Sequence, residues 1–234
     1  ISLALLGYGV SGTLLTLLGT RLRRRFPAFF VANAILFAIT ALVCLNVAQR
    51  IPLDPQALAW DSRQAVYLAA TFLLLAIPFF AAANCIGASL SQFRADIPRI
   101  YGFDLVGAGL GAFVPLAGLA LLHPAEALFG VFVGGLLAAT LAAQAMRWHP
   151  VRVCLLAITL AVAAGSGLDR QVAPSAYKDL ARALTVYGAQ IDSELRGVDG
   201  VVDVVRNDSV AQRFAPGLSL NADATPPKQL MVFV

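Results

Sequence analysis

The chain has 234 residues, 59% of them hydrophobic and only 13% charged, with a formal charge of +4 and a mean hydropathy of +0.78. Soluble domains carry about 25% charged residues, and half that density cannot cover a globule of this size in water. The balance excludes an ordinary cytosolic enzyme, a disordered chain and a disulfide-rich secreted module, and points to an integral membrane protein.

Stretches free of Asp, Glu, Lys and Arg give the layout: 1–20, 26–49, 64–93, 105–125, 127–146 and 153–168. A spanning helix needs about 20 mostly apolar residues. Five runs are long enough, and the sixth becomes so if Arg152 and Asp169 snorkel at its ends. The expected fold class is therefore a membrane bundle of about six transmembrane helices over 1–168. Run 1–20 is no signal peptide, because no basic segment precedes it and Arg21 to Arg25 follow it. Cys44, Cys85 and Cys154 each sit inside an apolar run, lack metal-ligand spacing and read as small hydrophobes.

Polar and small residues within the spans are the candidates for function. Asn33, Asn46 and Asn84 lie at or inside spans, where they either face a cavity or hydrogen-bond between helices. Asp104 is expected to open the fourth helix, as a cap, as a partner of Arg99, or as part of a polar membrane site with Asn33 and Asn84. Gly107 to Gly111 superficially suggests a nucleotide loop, but no strand precedes it. Close helix packing is the better reading for Gly107 with Gly111, for Gly130 with Gly134, and for Gly7 with Ser11. Pro78 and Pro115 lie inside the third and fourth helices, where neighbouring helices can satisfy the carbonyls they free. His123, Glu126 and His149 fall in short loops beside prolines.

From residue 169 the composition changes. Residues 1–168 hold 10 basic and 5 acidic side chains, and 169–234 hold 7 and 8. The second region, 169–234, reads as the start of an α+β soluble domain. A helix is expected over 176–186, a turn at Gly197 and Gly200, and strands at Val201–Val205 and Gln229–Val234. An ordered loop is expected through Ala215–Asn221 and Pro226-Pro227. The tail has no triad, metal cluster or phosphate loop in its sequence, and its acids read as solvated surface groups. The chain opens at Ile1 within an apolar run and closes within a strand pattern, and it reads as an N-terminal fragment.

Arginine placement sets the orientation. Eight arginines, Arg21, Arg23, Arg24, Arg25, Arg94, Arg99, Arg147 and Arg152, fall in the loops after helices 1, 3 and 5. Only Arg50 and Arg63 fall in the loops of the other side, next to Asp54 and Asp61. The cytoplasmic side attracts Lys and Arg, so even-numbered helices run outward. Six crossings would deliver the tail to the extracytoplasmic face, and five would keep it inside.

Several segments resemble the multi-pass membrane-fused spermidine synthase-like proteins of bacteria. They are Leu5–Gly12, Phe103–Gly111, Ser175–Leu180, Gly188-Ala189, Val202–Val205, Arg213–Asn221 and Pro226-Pro227, with Ala215-Pro216-Gly217-Leu218-Ser219-Leu220-Asn221 the most specific. The resemblance implies a bacterial inner-membrane protein whose soluble domain has a small β-region followed by a Rossmann-like methyltransferase fold. It implies decarboxylated S-adenosylmethionine as donor and a small polyamine as acceptor in the parent; apart from the resemblance, the lipid bilayer is the expected partner, a homo-oligomer is an open alternative and no nucleic acid is expected. The family's glycine-rich loop and catalytic aspartate would lie beyond residue 234, so no catalytic or cofactor-binding residue carries over. Alternative readings are a transporter-like protein and a non-catalytic membrane anchor or scaffold.

Overall fold

The structure is a computed structural model that describes residues 2–122, 124–167, 178–197, 200–210, 221 and 227–233. It forms two compact units, residues 1–115 with 124–172, and residues 173–234 with 116–123.

The first unit is helical, as uninterrupted apolar sequence dictates: without water, every backbone group must be satisfied inside its own segment. Helix α1 spans Ser2–Arg24 and α2 spans Phe26–Ala48, with Arg25 alone between them. Helix α3 spans Ser62–Gln92, α4 Ile97–Leu121, α5 Pro124–Ala145 and α6 Pro150–Gly167. Prolines in the first turns of α2, α4, α5 and α6 cost nothing, because the N–H they lack has no helical partner there. The α2–α3 connection is capped twice. Asp54 accepts from the Gln56 amide at 2.9 Å, and Asp61 accepts from the Arg63 amide at 3.0 Å. Buried Gln64 ties the connection down by accepting from the Asp54 amide at 2.9 Å.

Five helices are long and apolar enough to cross a membrane, α1 to α5. The expected sixth is present as α6 and packs on α5, but its apolar stretch is shorter, Pro150–Gly165. Side by side the helices run α1, α3, α2, α5, α6. The gap between α2 and α5 is filled by two clusters, one around Val31, Ala34, Ala139, Ala143 and Val153, the other around Ala38, Leu42, Phe132, Leu136 and Ala157. Helix α4 takes no part in this core, and none of its described residues is buried.

Besides the last residues of α4, from Leu116, the second unit holds a short helix α7, Asp179–Leu184, and an antiparallel sheet in the order β1–β2–β3. The strands are Ala189–Gly197, Gly200–Asn207 and Met231–Phe233. The expected turn at Gly197 and Gly200 joins β1 to β2, where those two glycines pair across the ladder. Residues 176, 177, 215–220 and 226 of the expected helix and loop lie outside the described residues.

Candidate functional site

The two central asparagines meet. Helices α1, α2 and α3 converge on a hydrogen-bonded chain in which the Ser11 hydroxyl donates to Asn84 Oδ1 at 2.7 Å. Asn84 Nδ2 in turn donates to Asn33 Oδ1 at 2.9 Å, and Asn33 Nδ2 donates to the Phe29 carbonyl at 2.8 Å. Ser11, Asn84 and Asn33 are 2%, 1% and 7% exposed, so the chain is closed to solvent. Small residues make this approach possible. A Cβ on Gly7 would stand 2.7 Å from the Phe80 amide nitrogen, and one on Gly87 would collide with the Leu15 side chain.

A second polar contact answers a proline. Pro78 has no N–H to give to the carbonyl four residues earlier, that of Leu74. The Cys44 thiol of α2 donates to that carbonyl at 3.2 Å. The Cys85 thiol likewise reaches the Phe30 carbonyl at 3.6 Å. Both cysteines are small core residues, and each also carries a weak donor to a backbone oxygen. The sequence signal for Cys44 was Pro78, four positions after Leu74.

The remaining sequence candidates fall elsewhere. Asp104 is not at a helix start: Pro98 lets α4 begin at Ile97, which leaves Asp104 two turns inside it, half-buried and outside the Ser11–Asn84–Asn33 chain. No ion pair joins Asp104 to Arg99, whose guanidinium lies over the Phe103 ring at 5.9 Å. A Cβ on Gly107, Gly111, Gly130 or Gly134 would meet no neighbouring element within 4 Å among the described residues, whereas one on Gly135 would stand 2.9 Å from the Ala38 Cβ. Asn46 donates to the Leu42 carbonyl of its own helix at 3.0 Å. Glu126 lies in the first turn of α5, and His123 lies outside the described residues. Arg147 and His149 make the tight α5–α6 turn with φ of 50° and 43°, and His149 packs edge-on to Trp148.

Among the described residues, two clefts of the helical unit stand out. One, of about 350 Å³, is walled by Val31, Ile35, Val153 and Leu156, with Trp148, His149 and Arg152 at its polar side. The other, of about 520 Å³, is lined by Arg21, Arg24, Arg25, Leu18 and Leu22. Among the described residues, no three His, Cys, Asp or Glu side chains gather as a metal site would need.

In the sheet, Asn207 is the organising side chain. It is 4% exposed, donates to the Tyr187 carbonyl at 3.0 Å and accepts from the amides of Ser209 and Val210 at 3.0 and 2.8 Å. On β2, Arg206 pairs with Asp192 and Asp208, both at 3.2 Å. Asp203 lies opposite Glu194, and partial burial, then that facing charge, hold its carboxyl above the ordinary aspartate value. Compared with known proteins, the chain matches no protein family, no curated protein and no solved structure.

Proposed function

We propose that this chain is the membrane domain and first strands of a membrane-anchored spermidine synthase-like protein of the bacterial inner membrane. The observation that carries the reading is an architectural sequence: long apolar helices, then a small antiparallel sheet. That order is the one the sequence resemblance implies. The helices serve as an anchor. A carrier needs polar groups that face a water-filled path at mid-membrane, and here Ser11, Asn84 and Asn33 are used up on one another.

In the parent, a diamine nitrogen would attack the methylene carbon next to the donor's sulfonium. The new C–N bond forms as the C–S bond breaks, the sulfur leaves as a neutral thioether, and a carboxylate takes the amine proton. By the resemblance, no donor-binding or catalytic residue of that step carries over onto residues 1–234. The test uses two proteins in detergent, decarboxylated S-adenosylmethionine and putrescine. The full gene product is expected to form spermidine, and residues 1–234 alone are expected to bind no donor and transfer nothing. Turnover by residues 1–234, or a full product that binds no donor, overturns the proposal.

A further inference from the structure

We propose that the cleft at the α1–α2 turn binds the phosphate headgroup of an anionic glycerophospholipid. The inference rests on the membrane reading of the helices and is independent of the enzymatic one. Arg21, Arg24 and Arg25 line one concavity together with Leu18 and Leu22, and Arg23 is a fourth cation within the same five residues.

Two general effects favour arginines here, the negative end of the α1 dipole and the cytoplasmic preference for basic loops. Neither asks for three guanidinium-bearing side chains around a single cleft. The next helix adds to the charge, since α2 begins at Phe26, one residue beyond Arg25, and has no acid in its first turn. Its positive dipole end therefore stands beside the arginines. Among the described residues no carboxylate pairs with Arg21, Arg24 or Arg25. The opposite connection is balanced, with Arg50 and Arg63 sharing it with Asp54 and Asp61.

Among the described residues nothing supplies the counter-charge at the α1–α2 turn, and it is expected from outside. Guanidinium forks match phosphate oxygens. Leu18 and Leu22 select the source. A free phosphate gains nothing from apolar walls, whereas a lipid lays its glycerol and first methylenes against them.

The experiment measures lipid retained by purified residues 1–234 after delipidation and exposure to phosphatidylglycerol or phosphatidylcholine, by native mass spectrometry. The wild type is expected to retain phosphatidylglycerol roughly tenfold over phosphatidylcholine, with inorganic phosphate failing to displace it. Replacing Arg21, Arg24 and Arg25 by Gln should abolish the preference. The Lys triple should keep part of it, and Arg50→Gln with Arg63→Gln should keep it in full. Helicity by circular dichroism checks folding, and the single Gln variants are read if the triple does not fold. Equal retention of the two lipids, displacement by inorganic phosphate, or a preference that survives the folded Gln variants overturns the proposal.

Discussion

At the scale of single residues, the membrane unit depends on amides that have no water to fall back on. Asn84→Leu removes two hydrogen bonds and strands the Ser11 hydroxyl and the Asn33 carbonyl oxygen in the core. The expected loss is about 1–2 kcal/mol of stability against unfolding in micelles. A double-mutant cycle with Asn33→Ala and Asn84→Ala should show coupling of about 0.6 kcal/mol. Strict additivity would mean that the two amides do not bond in the folded protein. Sequence could name Asn33 and Asn84, because polar groups stand out in apolar runs. It could not name Ser11 as their partner, because a serine on a helix reads equally well as a small packing residue. Asp203 gives a pH-dependent counterpart outside the membrane. Its raised pKa means the folded state holds a proton more tightly than the unfolded chain. The carboxyl therefore weakens the sheet above its folded pKa, and that cost disappears as the pH falls below the ordinary aspartate value. Asp203→Asn should slow amide exchange of β2 at pH 7 and leave it unchanged near pH 3.5. Faster exchange at pH 7 in the variant would reverse the sign of this account.

At the scale of elements, the glycines separate into two groups that periodicity alone could not distinguish. Gly7 and Gly135 stand where a side chain would meet the backbone or Cβ of a neighbouring helix, while Gly107 and Gly130 meet nothing of this chain. Gly7→Leu should therefore part α1 from α3 and cost about 2 kcal/mol or more, as overpacking of a tight contact does. Gly107→Leu should leave monomer stability within about 0.5 kcal/mol, as substitutions away from contacts usually do. Urea-dependent unfolding in micelles distinguishes the two, and equal losses would contradict the helix order. The positions of the helices were legible because charge-free runs of spanning length have few other solutions. Their neighbours were not, because a helix whose apolar residues are spread evenly around its axis carries no directional signal, and α4 is such a helix. Strand β1 escaped sequence reading for the opposite reason. Asp192, Ser193, Glu194 and Arg196 crowd it with polar groups, and a register shift between Ile191 and Ser193 breaks its alternation.

At the scale of the whole membrane unit, contact directions give the relative directions of the helices without counting charges. Gly7 meets Phe79 and Phe80, Ser11 meets Asn84, and Leu15 meets Gly87, so α1 and α3 run parallel. Cys44 meets Leu74 and Asn33 meets Asn84, so α2 runs against them. Ala38 packs on Gly135 while Val31 joins Ala143, which sets α5 antiparallel to α2. The turns bearing Arg21–Arg25, Arg94 and Arg147–Arg152 thereby gather at one end of the unit, the end that charge bias assigns to the cytoplasm. Helix α6 then decides where the chain leaves. It starts beside the arginines and runs to Gly165, where an added Cβ would stand 3.8 Å from the Phe129 ring, close to the opposite end of α5. Its 18 residues span about 27 Å at 1.5 Å per residue, near the thickness of the hydrocarbon core. Helix α6 lacks the apolar length of α1 to α5, so the side of the tail turns on whether it crosses, and its run along α5 predicts a tail outside. Ser209→Cys, in a chain with Cys44, Cys85 and Cys154 replaced by Ala, should react with a membrane-impermeant maleimide in intact spheroplasts. Labelling only after lysis would return the tail to the cytoplasm, and with it access to a cytosolic aminopropyl donor. Labelling from outside, the expected result, requires the proposed aminopropyl donor to reach the soluble domain on the extracytoplasmic face.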